Sequence, residues 1–177
     1  MRVIAGEFRS RRLKSIPGDA TRPTPDRLRE TLFDILSPNI EGARFVDAYA
    51  GTGAVGIEAL SRGAAHAWFL ERSRPALEAI RENLAALQLE RRATVVTGLV
   101  TLTLPRHPAD IVFLDPPYDL EREYSAVLAL LAETPPGLTI VQHSIRLALP
   151  DEQGVLRRTR ILKQGDNALS FYRIPQV

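Results

Sequence analysis

Three observations predict that this 177-residue chain folds as an α/β domain around a doubly wound, mostly parallel sheet. Short apolar, strand-like runs alternate with segments of helical periodicity from residue 44 to residue 142. A glycine cluster, Gly51, Gly53 and Gly56, stands between the first of these runs and the helix after it. The alternation then stops, and two strand-like runs joined by GDN take over near residue 155. Alternation at this spacing implies parallel strands linked by right-handed crossovers. A tail of two runs joined by a tight turn adds antiparallel strands at one edge.

Taken in order, residues 2–16 carry the runs RVIA and RRLKSI around Gly6, the pattern of a small β-hairpin. The turn-rich PGDATRPTP follows. Thr24 and Pro25 predict an N-cap and a first-turn proline for a helix over 25–36, with Leu28, Leu32, Ile35 and Leu36 on its apolar face. Strands are expected at 45–48, 67–70, 93–97, 111–114, 138–142, 155–163 and 168–173, which makes seven. Helices are expected at 53–62, from Ser73 and Pro75 onward with Leu77, Ile80, Leu84 and Leu87 in register, and at 121–132. The length suits one domain, 25–177, with residues 1–24 as a basic appendage and connector.

Composition narrows the function classes. With no cysteine, disulfides, thiolate metal sites and cysteine nucleophiles are excluded. The N-terminus is basic without the apolar core of a signal peptide, and no apolar run approaches the roughly 20 residues of a membrane span. A soluble, unprocessed, cytoplasmic protein acting as a monomer is the expectation. Net charge is only +2, but residues 1–30 hold eight basic and four acidic side chains. Of the 23 basic residues 21 are arginine, whose planar fork pairs with phosphate and stacks on bases. A basic end of this kind points to a polyanionic partner. His66, His107 and His143 stand apart without metal-ligand spacing, and Trp68, between Ala67 and Phe69, is expected to pack on the second strand.

The segment FVDAYAGTGAVGIEAL places small residues where a strand turns into a helix, so that a ligand can approach the backbone and meet helix N-terminal amides. Gly51, Gly53 and Gly56 match the G-x-G-x-x-G pattern of Rossmann-like nucleotide sites, and Glu71, 20 residues after Gly51, stands where a ribose-binding acid is placed. Asp47, just before the turn, would repel a pyrophosphate but suits a ligand carrying ammonium and sulfonium charges. The arrangement resembles the class I S-adenosylmethionine-dependent methyltransferase motif, and that resemblance implies that Glu71 bonds the ribose hydroxyls. Many such enzymes carry an Asp after the third strand to hold the adenine; this chain has Thr97, Gly98 and Leu99 there, so the adenine contact stays unassigned.

Directly after the apolar run IVFL stands Asp115-Pro116-Pro117-Tyr118. An exocyclic base amine is a poor nucleophile because its lone pair is delocalised into the ring. Asp115 and the Pro116 carbonyl can accept its two hydrogens and favour a pyramidal nitrogen, while Tyr118 offers a face for stacking. Proximity and orientation supply most of the acceleration, and no metal is required. The motif resembles the [DN]-P-P-[YF] signature of methyltransferases acting on adenine, guanine or glutamine amides. A nicotinamide dehydrogenase would share the glycine turn but has no use for this tetrapeptide, and a non-catalytic RNA-binding module would need only the basic end.

The segments RVIAGEFRSRRL and TRPTPDRLRETLFDIL, with DAYAGTGAVGIEALSRGA and DPPY, closely resemble the RsmD-type 16S ribosomal RNA guanine-N2 methyltransferases over most of residues 2–124. That resemblance implies S-adenosyl-L-methionine as cofactor. It implies 16S ribosomal RNA or a small-subunit assembly intermediate as partner, and methyl transfer to the N2 amine of a guanine. By the same resemblance Arg2, Arg9, Arg11, Arg12 and Lys14 contact RNA phosphates, while Arg22 and Thr24 line the cofactor or target pocket. The nearest alternatives are adenine-N6 nucleic-acid and glutamine-amide methyltransferases.

Overall fold

In the computed structural model, which describes residues 1–18 and 24–176, five parallel strands form the heart of the sheet: β1 (Arg44–Ala48), β2 (His66–Glu71), β3 (Ala93–Thr97), β4 (Ile111–Leu114) and β5 (Leu138–Ser144). The edge is antiparallel: β6 (Glu152–Gln153), β7 (Leu156–Gln164) and β8 (Asn167–Arg173). Among the described residues the sheet therefore has eight strands, in the order β3-β2-β1-β4-β5-β8-β7-β6. The strand beyond the expected seven is the two-residue β6, too short for any periodicity to announce. The sheet reverses direction of growth between β1 and β4, which opens a crevice at their carboxyl ends.

Helices cover both faces. Helices α1 (Asp26–Ile40), α2 (Ala54–Ser61) and α3 (Arg74–Ala86) pack one side around Phe45, Phe69 and Phe113, while α4 (Val100–Thr103) and α5 (Glu121–Glu133) pack the other around Val46, Leu114 and Val141. These strand residues alternate in sequence, as a sheet buried on both faces requires. Every residue of α2 is buried, and Gly56 is the reason it can sit so deep. A Cβ there would lie 2.4 Å from the Phe69 ring. No helix among the described residues is long and apolar enough to cross a membrane.

Three expectations need correction. Thr24 does not cap α1; Pro25 occupies the cap position without a side-chain bond, and the Thr24 hydroxyl instead donates to Gln142. Helix α1 also passes through Pro38 to reach Ile40, whose buried side chain rewards the extra turn. The N-terminal hairpin is a folded-back segment with a single antiparallel bridge, Arg2 opposite Arg12, rather than a ladder. Val3 and Leu13 bury themselves in the main core.

That segment is clasped to the helices. Buried Glu58 of α2 accepts the amides of Ile4 (2.9 Å) and Ala5 (3.0 Å), and Ser61 accepts the Phe8 amide and donates to the Ala5 carbonyl. Gly6 lies so close that a Cβ would stand 2.0 Å from the Ser61 carbonyl oxygen, at a left-handed φ of +84°. Gly6→Ala should therefore lower stability by about 1–3 kcal/mol and speed hydrogen exchange at Ile4 and Ala5. Unchanged denaturation and exchange would show that the clasp tolerates a side chain.

Candidate active site

A cavity of about 730 Å³ lies at the carboxyl ends of β1, β2, β4 and β5. Its walls bring together Asp47, Gly51, Glu71, Asp115, Pro116, Tyr118 and Thr24, all of them expected at one site from the motifs that carry them. The N-terminal segment closes one side with Met1, Ser15 and Ile16. Gly98 and Leu99, at the position after β3 where the adenine contact is unassigned, line it too. Gly53 and Gly56 stand behind the wall. Gly53 takes the left-handed turn (φ +81°) that starts α2, and Gly56 packs on Phe69. Arg22 lies outside the described residues.

The acids are held by backbone amides. Glu71 Oε2 accepts the Gly51 amide (2.9 Å), and its Oε1 accepts those of Arg72 (2.8 Å) and Ser73 (2.9 Å). The carboxylate is thus locked against the glycine turn; Oε1 is filled by its two amides, while Oε2 keeps one lone pair for a further donor. Asp47 is fully buried and accepts the Gly56 amide (2.8 Å). Burial pushes its carboxyl well up, against the pull of that amide, and the nearby charges of Asp115 and Glu71 push the same way. Asp115 is raised by desolvation to about 7. Asp47, Glu71 and Asp115, with Asp119 and Glu123 also in the lining, make the cavity a host for a positively charged ligand and a poor one for phosphate.

At the DPPY turn, the Pro116 carbonyl already accepts the Tyr124 hydroxyl (3.0 Å) from α5 and keeps one lone pair for a further donor. Tyr118 stands at the mouth, and its hydroxyl donates to Asn167 at the start of β8. Tyr49, in the left-handed region at φ +61°, donates to Glu123 (2.6 Å), so that the β1 turn is tied to α5 across the cavity. Asn83 of α3 donates to the carbonyls of Lys14 and Thr52 and accepts the Lys14 amide, tying the N-terminal segment to the glycine turn. Glu58 and Asn83 carry no motif in sequence, although each interrupts an apolar helical stripe, which is the signal that marks them.

Outside the cavity, Arg2, Arg9 and Arg12 are exposed and pair with no acid among the described residues. Arg2 and Arg12 sit directly opposite one another, an arrangement unfavourable for like charges unless an anion joins them. Arg11 donates to the Ala86 carbonyl and Lys14 pairs with Glu82, so these two are partly committed to the fold. His143 is buried in β5 against Ser170, and His66 bonds Thr94 beside Trp68.

The family described as Conserved hypothetical protein 95 matches residues 1–173. The Bacillus subtilis (strain 168) protein YlbH is 35% identical over 98% of both chains. Ribosomal RNA small subunit methyltransferase D of Escherichia coli (strain K12) is 40% identical over 119 residues, 67% of this chain and 60% of that protein. The solved structure of yhhF from Escherichia coli superimposes with a TM-score of 0.86 at 32% identity, covering 98% of this chain and 97% of that one.

The raised Asp115 pKa has a stability consequence. A native carboxyl titrating near 7 holds a proton that the unfolded chain has released by then. Stability is thus fully present below about pH 4 and falls as pH rises toward 7, by up to about 1.4 kcal/mol per unit. Asp115→Asn should flatten part of that fall, leaving the share due to Asp47. Denaturation at pH 5 and pH 7.5 decides the matter: an equal fall in both proteins would mean that Asp115 titrates normally.

Proposed function

Because the chain belongs to the Conserved hypothetical protein 95 family, the RsmD-type methyltransferases, we propose that it methylates the exocyclic N2 amine of a guanine in 16S ribosomal RNA. The methyl donor is S-adenosyl-L-methionine, and the RNA is met in the cytoplasm, free or within a small-subunit assembly intermediate. The observation that carries this reading is the placement of Asp115 in the same cavity as the glycine turn and Glu71.

S-adenosylmethionine supplies an electrophilic methyl group on a sulfonium centre when bound. Glu71 would accept a ribose hydroxyl through the remaining lone pair of Oε2, the Gly51 turn would let the ligand approach the backbone, and Asp47 would balance its positive charge. The donor set suits that ligand, since acids and amides converge there and, among the described lining residues, the only cationic side chain is exposed Arg72.

The chain's own residues then act on the amine. A guanine must leave its stack to enter a cavity of this kind, and the Tyr118 ring offers a surface for it. Asp115 and the free lone pair of the Pro116 carbonyl accept the two amino hydrogens, so that the nitrogen lone pair is directed away from the ring. Asp115, in its carboxylate form, also receives the proton the product amine gives up. Residues 1–24 hold the RNA backbone through Arg2, Arg9 and Arg12, with Arg11 and Lys14 at the flank.

Two experiments test the reading. Small subunits lacking the modification, incubated with labelled S-adenosylmethionine and the protein, should yield N2-methylguanine on digestion and mass analysis. Asp115→Ala should slow single-turnover transfer on the order of 100-fold or more while both substrates still bind. A near wild-type rate would remove Asp115 from the chemistry. For the RNA surface, replacing Arg2, Arg9 and Arg12 with alanine should weaken RNA binding. It should also flatten the salt dependence, by somewhat under one unit of log–log slope for each phosphate no longer neutralised. An unchanged slope would mean that these side chains do not meet phosphate.

A further inference from the structure

Strands β4 and β5 run parallel with Leu114 opposite Val141. One residue further on, Asp115 and Gln142 are neighbours at the carboxyl ends of adjacent strands, and both line the cavity. Gln142 is 2% exposed. Its Oε1 accepts the Thr24 hydroxyl (3.1 Å), while its Nε2 has no partner among the described residues and is not sealed in the interior. An amide nitrogen that reaches the cavity without a protein partner is available to donate to a group that enters it. The neighbouring residues of β5, Ile140 and Val141, are apolar, and so is Leu169, which faces Gln142 from β8. Packing alone would favour an apolar residue here, so the amide is placed for something that enters the cavity.

We propose that Gln142 reads the identity of the target base. The inference rests on the guanine-N2 reading above and deepens it. Guanine presents the N2 amine, the N1–H donor and the O6 acceptor in a row along one edge. Adjacent parallel strands stand about 4.8 Å apart, which suits a row of that width. With Asp115 accepting from N2, the Gln142 amide pairs with the other two groups: Oε1 accepts N1–H and Nε2 donates to O6. The Thr24 hydroxyl, by donating to Oε1, holds the amide in the orientation that this pairing needs. Adenine carries an acceptor at N1, which would face Oε1 with no hydrogen between them, so the same pair of groups selects against it.

The probe is 2-aminopurine, which keeps the N2 amine but lacks both O6 and N1–H. Small subunits reconstituted around 16S RNA ligated to carry guanine or 2-aminopurine at the methylated position give two values of kcat/KM and hence a ratio. Gln142→Leu should lower the guanine to 2-aminopurine ratio by roughly ten- to a hundred-fold, the discrimination expected of a bidentate amide–base pair. It should do so chiefly by slowing transfer to guanine, with S-adenosylmethionine binding retained as evidence of folding. Should leucine disturb β5, Gln142→Ala gives the same comparison. A variant that slows both bases equally, leaving the ratio at its wild-type value, overturns the proposal, because a merely structural role moves both together. Wild-type protein that places no methyl on N2 of guanine overturns the guanine reading itself, and the assignment of Gln142 with it.

Discussion

The carboxylate of Glu58 is the constraint on which the rest of this structure depends. It sits fully buried in α2, receives the amides of Ile4 and Ala5, and stands among Arg29 and Arg62. Arg29 is itself buried, with its pKa pulled down by desolvation against the opposing charges of Glu58 and Asp26. Loss of one member of a buried pair of this kind typically costs about 3–5 kcal/mol, since the other charge is left without compensation. Because α2 begins at the glycine turn, one helix both shapes the floor of the cavity and anchors the segment that walls it. Asn83 repeats the connection from α3, bonding Lys14 and Thr52 together.

The consequence is a separation of charge across a short distance. The cavity is lined by carboxyl groups, while exposed arginines that pair with no acid among the described residues lie on the clasped segment. On the proposed function, an RNA strand would be drawn toward the outer surface by its phosphates and kept from sinking into the cavity by the same charges. On that reading a neutral base would pass the mouth and a cationic ligand would rest inside. Holding the two surfaces in fixed relation requires the N-terminal segment to be part of the core, and Val3 and Leu13 make it so.

Much of this is legible in the chain. Strands β3 and β4 fall where the apolar runs place them, and the glycine turn and DPPY meet in one cavity as their spacing with respect to the strands implies. These signals are local: left-handed backbone at Gly51 and Gly53, apolar alternation, a proline-restricted turn after a buried strand. The two strand-end motifs come together because parallel topology leaves every carboxyl end on the same side of the sheet.

What the chain does not announce are bonds between residues far apart in sequence: Glu58 with Ile4, Asn83 with Lys14 and Thr52, and Gln142 with Thr24 across 118 positions. No periodicity encodes such pairs. A polar residue in an apolar helix or strand has to find a partner, but which one depends on how α1, α2 and α3 pack against the sheet. The sequence by itself therefore determined the layered α/β architecture and the chemical groups of the site. Tertiary packing alone decided that the basic end would wall the cavity, and that Gln142 would stand beside Asp115 with its amide held by Thr24.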